Sequence, residues 1–560
     1  MNNFFPIIFF GKLKRSMQWP LVCYVAVLFS CNRSNQADLL PPVPKHIVVI
    51  GVDGMSPNGL IHAHTPVMDD LMQNGAYTLN ARGVLPTSSS TNWASMVSGA
   101  GPEQHGITSN GWERDDYILP PVVTGMEDIF PTIFGVARGQ IPDMKIGAIY
   151  TWKGFGRLIE RSALDLDSPQ SSDEATTQQA ATYIQEAKPN FLFIHLDHVD
   201  HVGHSQGHKT VPYYESISHA DEQIGTIIEA VRTAGIFEEA VFIVSSDHGG
   251  IGYGHGGETI DEIEIPFIIC GKGIKSNYLI KNPFYTYDNA ATIASLLGIK
   301  QPASWIGKPA LSAFEGYPEP ELGDQKVLIA APIIHPKPQL YDAAGGLYVE
   351  EKAKVRMETM VDATIRYTTD GTIPNRQSKS YQGPFELSQS SVIIAKAFQG
   401  TQAESNASVA YFRIVESKSK NGIRYQYYEG KDWKFLPVFE SMKPLKSGKV
   451  FEFRINDISE RKEQYGIQFK AVIKIDSLGA YRFYLNSDDG SKLYINDDLI
   501  VDNDGGHGTI ERMGNVQLDR GLHRIRVDYH NQGGGAWLDA FYKGPGVPKQ
   551  IIPPDVLYVD

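Results

Sequence analysis

Along the first half of the chain, apolar runs of strand length alternate with stretches whose apolar positions recur at helical spacing. The runs His46–Val52, Phe191–Leu196 and Val241–Val244 are dominated by β-branched, aromatic and leucine side chains, which predicts strands buried on both faces. Thr176–Ala187, Tyr213–Ala234 and Tyr287–Leu297 read as helices, the last stopped by Gly298. The alternation predicts an α/β unit over residues 44–315, with a mainly parallel sheet sandwiched by helices. Each predicted strand ends in an aspartate or in a short turn that contains one, and ligands of open α/β sheets bind beyond the carboxyl ends of the strands.

The pattern changes over residues 325–416 to short β-rich stretches broken by Gly, Pro and Asn, among them Ile365–Gly371 and Val392–Phe398. A small immunoglobulin-like sandwich is expected. Within it, Tyr367-Thr368-Thr369-Asp370-Gly371-Thr372-Ile373-Pro374 followed by Tyr381-Gln382-Gly383-Pro384 resembles the C-terminal domain of chitobiases and hexosaminidases. After the polar linker 416–420, residues 421–560 are again all β, with strands expected at Tyr481–Leu485 and Leu522–Tyr529. Asn486–Ile495 and Gly533–Leu538 resemble the PA14 family of β-barrel modules, many of which bind glycans. Asp488-Asp489 would hold Ca²⁺ beside a glycan in that resemblance; as a plain Asp-Asp-Gly sequence it is also hairpin-turn chemistry.

With 560 residues, 42% apolar and 21% charged, the chain has the profile of a globular protein of several cores. Its formal charge of −13 argues against a nucleic acid polymer as partner, since phosphate backbones require Lys/Arg stripes. Lys12, Lys14 and Arg15 precede the apolar run 21–29 and then Ser30-Cys31, which predicts a signal peptide over residues 1–31, with translation starting at Met1 or Met17. Leu28-Phe29-Ser30-Cys31 resembles a bacterial lipobox, implying export, lipidation of Cys31 and a membrane anchor in the cell envelope. Cys270, in an apolar run, is expected to be a buried inert thiol.

Four polar segments interrupt the α/β pattern: Asp53-Gly54, Asp200-His201-Val202-Gly203-His204, Ser245-Ser246-Asp247-His248-Gly249-Gly250 and Gly254-His255-Gly256-Gly257. Asp200 and His204 would converge on one ion if the chain turned between them at Gly203. Three aspartates and three histidines at one end of a sheet suit zinc, which takes carboxylate oxygen and imidazole nitrogen, and three protein ligands per ion fit two catalytic zincs.

In order and spacing these segments resemble the alkaline phosphatase superfamily, specifically its nucleotide pyrophosphatase/phosphodiesterase branch. The resemblance implies one Zn²⁺ on Asp53, Asp247 and His248 and a second on Asp200, His204 and His255. It departs from the branch in that His255 follows His248 by only seven residues. In Pro86–Trp93, the later Asn92, Ser98-Gly99 and Pro102–Ile107 set a register that selects Ser89 as nucleophile and zinc ligand, with Thr91 and Ser90 as the other hydroxyls in reach. Asn110 matches the asparagine that donates to a phosphoryl oxygen.

The implied activity is zinc-dependent hydrolysis of phosphate esters through a phosphoserine, with diesters or pyrophosphates favoured and an alkaline phosphomonoesterase as the alternative. Lys153, Arg157 and Arg161 would supply the extra cation a monoesterase needs, or are solvated surface charge. The sulfatase pattern Cys/Ser-x-Pro-x-Arg is absent from Ser88–Trp93. A reading of another class is a cell-surface glycan-binding protein with an inactive enzyme domain.

Overall fold

The computed structural model describes residues 43–559 apart from Leu322, Asp324 and Asp457. The expected signal segment 1–31 and Cys31 lie outside the described residues.

The first half builds an eight-stranded sheet from β1 (His46–Val52), β2 (Gly75–Arg82), β3 (Ile146–Tyr150), β4 (Leu166–Pro169), β5 (Phe191–Leu196), β6 (Ala240–Ser245), β7 (Glu264–Gly271) and β8 (Tyr278–Leu279), in the order β4-β3-β5-β1-β6-β7-β2-β8. All strands share one direction except β7, which runs antiparallel to both its neighbours. Every residue of β1, β5 and β6 is buried, because successive side chains enter two different cores. Ile47 and Val49 pack with the helices Ser89–Ser98 and Asp288–Leu296, whereas Val48, Ile50 and Val52 pack with Asp173–Ala187 and Val211–Thr233.

The register decides where the chemistry lies. Gly51 pairs with both His195 and Ser245, so β1, β5 and β6 end level and release Asp53, Asp197 and Asp247 at one rim. The helix predicted from Thr176 begins at Asp173, because the Ser172 side chain accepts from Ala175 N and caps it three residues earlier. The expected turn between Asp200 and His204 is corrected: both lie on the helix His198–Gln206, where a four-residue spacing stacks them on one face and no turn is needed.

The remainder is all β. Ile333–His335, Ala353–Glu358 and Phe385–Leu387 form a three-stranded sheet over a core shared with the sheet that contains Thr364–Thr368, Ser391–Gln399 and Ser408–Val415. A final pair of sheets encloses one core, with Gly479–Asp488 in one and Gly521–Asn531 in the other. Cys270 is half-buried in β7, and burial pushes its thiol up to about 11, out of the reactive range.

Candidate metal centre

Asp53 leaves β1 with a buried carboxylate whose Oδ2 accepts from Trp93 Nε1 at 2.8 Å and from His195 Nε2 at 3.2 Å. Its Oδ1 is buried without a hydrogen-bond partner. Asp247, two residues beyond β6, repeats the pattern: Oδ1 accepts from Gly54 N at 3.1 Å and Oδ2 is buried and unpartnered. His248 donates Nδ1–H to the Gly249 carbonyl at 2.8 Å, which in the neutral ring leaves Nε2 as a bare lone pair. That nitrogen lies 3.5 Å from Asp53 Oδ1, 3.2 Å from Asp247 Oδ2 and 3.2 Å from Ser89 Oγ.

The second trio is built the same way. His204 Nδ1 faces the Tyr253 carbonyl at 2.9 Å and His255 Nδ1 the Thr87 carbonyl at 2.7 Å. Their Nε2 atoms are 3.1 Å apart and lie 3.3 and 3.7 Å from the two oxygens of Asp200, whose Oδ1 is buried and unpartnered. Two imidazole nitrogens that close require a proton or a metal cation between them, and Asp200 draws either one to this spot. The His248 and His255 rings stack at 3.7 Å, so the trios are adjacent.

Three orphaned carboxylate oxygens beside three outward lone pairs fit divalent metal, because a buried unpaired carboxylate is costly and a cation satisfies it. Imidazoles oriented by backbone carbonyls are the usual support of metal-ligating histidines. The electrostatics agree. Burial and the Asp53 charge push Asp247 well above the usual carboxylate range, and burial with the same charge lifts Asp197 to about 7. Burial raises Asp200, but the His204 hydrogen bond and the neighbouring histidines more than reverse it; the Asp200 bond in turn raises His204 to about 9.

His195, inside the apolar strand β5, carries no site signal in the sequence. It is fully buried, and although burial opposes its charged form, its Asp53 partner holds its pKa above the ordinary histidine value. With Asp53 and Asp197 it forms a third group within metal-ligating reach, sharing Asp53. Since Asp53 Oδ2 is already engaged by Trp93 and His195, their evident effect is to aim Oδ1 at His248.

Ser89 is the first residue of its helix and 5% exposed, so that helix N-terminus faces the rim. Of the neighbouring hydroxyls, Ser90 Oγ accepts from Arg157 at 3.0 Å and Thr91 Oγ1 pairs with Ser88 Oγ at 2.8 Å, leaving Ser89 Oγ beside His248. Asn110 Oδ1 accepts from Ser90 N at 2.8 Å, which turns its Nδ2 amide outward as a donor. Of the three cations, Arg157 is drawn in: Nη2 donates to the Asn110 carbonyl at 2.5 Å as well as to Ser90, and Nη1 to Glu113 at 2.7 Å. Arg161 is tied to Asp167, and Lys153 is exposed. Far along the chain, Asp489 spends both oxygens on the backbone N–H groups of His507, Gln532 and Gly533, while burial and the Asp489 charge raise Asp488 to about 6.

Residues 47–259, which contain the six candidate metal ligands together with Ser89 and Asn110, match the family model for type I phosphodiesterase / nucleotide pyrophosphatase. Residues 343–409 match the chitobiase/beta-hexosaminidase C-terminal domain, and residues 419–556 match the PA14 domain. The chain is 22% identical over 341 residues to GPI ethanolamine phosphate transferase 1 of Saccharomyces cerevisiae, covering 53% of this chain and 36% of that protein. It is 24% identical over 196 residues to ectonucleotide pyrophosphatase/phosphodiesterase family member 1 of Mus musculus, covering 33% and 21%. Bis(5'-adenosyl)-triphosphatase ENPP4 of Bos taurus is 22% identical over 240 residues, with 41% and 52% covered. The chain thus spans about half or less of the length of these relatives. Among solved structures, murine ectonucleotide pyrophosphatase / phosphodiesterase 5 is similar at 16% identity and a TM-score of 0.39, over 46% of this chain and 96% of that one. The alkaline phosphatase PafA is similar at 12% identity and a TM-score of 0.41, over 49% and 99%. By these matches the chain holds, in order, a type I phosphodiesterase/nucleotide pyrophosphatase-type domain, a chitobiase/β-hexosaminidase C-terminal-type domain and a PA14 domain.

Proposed function

We propose that the chain is a zinc-dependent phosphodiesterase or nucleotide pyrophosphatase that works through a phosphoserine at Ser89. The observation that carries this reading is the pair of adjacent trios, each with an orphaned carboxylate oxygen, one of which sets His248 3.2 Å from a serine hydroxyl at a helix N-terminus. Two zinc ions bound there would lower the pKa of the Ser89 hydroxyl and stabilise charge on the attacking and leaving oxygens. Ser89 Oγ attacks phosphorus in line with the scissile bond. A P–Oγ bond forms, the P–O bond to the leaving group breaks, and the proton that the Ser89 hydroxyl gives up is returned through water to the departing oxygen. Asn110, held by the Ser90 N–H through its Oδ1, would donate Nδ2 to a non-bridging oxygen. Water then cleaves the P–Oγ bond with the geometry reversed. An alcohol acceptor in place of water would give phosphoryl transfer, and the named relatives include both a transferase and a triphosphatase.

Diesters are favoured because Arg157, which reaches Ser90 beside the nucleophile, is already shared among Ser90, Asn110 and Glu113. Purified protein is expected to hydrolyse bis-p-nitrophenyl phosphate faster than p-nitrophenyl phosphate, and zinc content should track activity. Arg157→Ala should lower kcat/KM about tenfold on the diester through a looser Asn110. If the monoester suffers a much larger loss, the arginine serves a dianionic phosphoryl group and the monoesterase reading is preferred. Protein that holds no metal and cleaves neither ester would leave the glycan-binding reading in its place, with the phosphate site a relic.

The PA14 and chitobiase-type domains suggest carbohydrate near the substrate, and a phosphorylated glycan or glycolipid is the substrate class we favour. We further propose export and lipid anchoring through Cys31 in the bacterial cell envelope. Cys31→Ser is expected to move the protein from the membrane to the soluble fraction; unchanged membrane association would refute the anchor.

A further inference from the structure

The second metal trio is braced from outside its own domain. A tight turn at Gln339–Asp342, closed by Gln339 N to Asp342 O at 3.0 Å and Asp342 N to Gln339 O at 2.8 Å, presents Leu340 and Tyr341 at its tip. Leu340 adopts φ 55°, a left-handed conformation that a branched residue holds only when its surroundings impose it.

Each tip residue meets a glycine three positions along the chain from a trio histidine, Gly207 after His204 and Gly252 before His255. Leu340 lies over Gly207, which ends the helix carrying Asp200 and His204; a Cβ at Gly207 would fall 2.2 Å from Leu340 Cδ1, and its φ is 90°. Tyr341 lies over Gly252, where a Cβ would come within 1.6 Å of the ring and φ is 59°. Gly252 belongs to the turn Ile251–Gly254 that precedes His255. Tyr341 Oη accepts from Tyr253 N at 3.2 Å, and the Tyr253 carbonyl is the one that orients His204 at 2.9 Å. His208 N donates to the Gly252 carbonyl at 2.7 Å, joining the end of the helix to the same turn. One two-residue tip therefore touches both elements that supply the trio.

The tip is itself backed by the PA14 domain. The Tyr341 ring lies 5.2 Å from Trp537, and Arg454 caps Trp537 at 5.4 Å while donating to Asp342 beside the tip. Trp537 is 4% exposed and fixed by its Nε1 donation to the buried Asp539 at 3.0 Å.

We propose that the Leu340-Tyr341 tip, backed by Trp537 of the PA14 domain, is a positioning element that holds Asp200, His204 and His255 in ligating geometry. Metal binding at this trio then depends on the C-terminal domains, a role separate from any glycan they bind. The inference rests on the metal reading of the site.

Full-length protein carrying Asp247→Asn, which breaks the other trio, isolates the site. Zinc affinity is then read by competition with a chromophoric chelator. Adding Tyr341→Ala is expected to weaken zinc about 10- to 100-fold, the usual cost of losing a group that orients a ligand. Tyr341→Phe keeps the ring on Gly252 and Trp537 but loses the Tyr253 N–H bond, and should cost about fivefold, the equivalent of one neutral hydrogen bond. Trp537→Ala, which reaches the trio through Tyr341, should weaken zinc in the same direction. In a His255→Ala background, where only the Asp53, Asp247 and His248 trio remains, Tyr341→Ala should leave affinity unchanged. Wild-type affinity in folded Tyr341→Phe and Trp537→Ala proteins would overturn the proposal, as would equal weakening of both trios, the mark of general loosening. Wild-type protein that binds no zinc at all would instead sink the metal reading on which the proposal stands.

Discussion

Ser89→Ala should lower kcat/KM for bis-p-nitrophenyl phosphate by roughly a thousandfold or more, about 4 kcal/mol of transition-state stabilisation, while the protein stays folded. The size follows from what the hydroxyl is asked to do. It is the only one of the clustered hydroxyls near His248 Nε2, at 3.2 Å, and removing it removes the covalent step rather than trimming it. The fold should tolerate the change, since Ser89 opens a helix in which alanine is the best former and its side chain caps nothing. Ser90→Ala and Thr91→Ala are the internal controls. Their oxygens are committed to Arg157 and Ser88, and each should cost only a few-fold in kcat. Comparing the three variants at equal zinc content decides the assignment; full activity in Ser89→Ala, or loss in Thr91→Ala alone, would move the nucleophile.

Much of this centre was readable from the sequence because it hangs on strand ends. β1, β5 and β6 are apolar apart from His46, His195 and Ser245, so the aspartate that follows each one marks the rim, and a parallel register brings the three ends level. The helix His198–Gln206 is not legible as one for a physical reason: it buries only Val199, Val202 and Gly203, gives Asp200 and His204 to the site and exposes most of the rest, so it has no apolar stripe to detect. His195 was passed over because a histidine inside an apolar strand looks like a core residue, and only the register with Gly51 places it against Asp53. The Tyr341 brace was beyond reach, as it joins Tyr253 to a residue 88 positions away across a domain junction. Its one trace was the run of glycines around Gly252, which records that something approaches the backbone there without naming it.

Asp247→Asn should separate activity from stability with opposite signs. Turnover should fall by roughly a thousandfold or more, because an amide replaces a charged ligand oxygen in a trio that has no spare donor. Stability of the metal-stripped protein should rise. In the folded chain, burial and the Asp53 charge hold the Asp247 carboxyl well above its ordinary value, so the folded state keeps a proton that the unfolded chain gives up. Stability then falls as pH climbs from near 4 through the folded pKa, since the folded state binds more protons over that interval. Asparagine removes this slope. It preserves the bond from Gly54 N through its own carbonyl oxygen, so the local turn has no reason to open. At neutral pH the order of thermal midpoints should therefore be metal-stripped wild type, then metal-stripped Asp247→Asn, then zinc-loaded wild type, because zinc adds its binding free energy to the folded state alone. Thermal unfolding from pH 4 to 8 with and without chelator measures all three. A metal-stripped variant that unfolds before metal-stripped wild type at neutral pH would mean that protein dipoles already satisfy the unpartnered Asp247 oxygen, and a cation would no longer be what that oxygen is placed to receive.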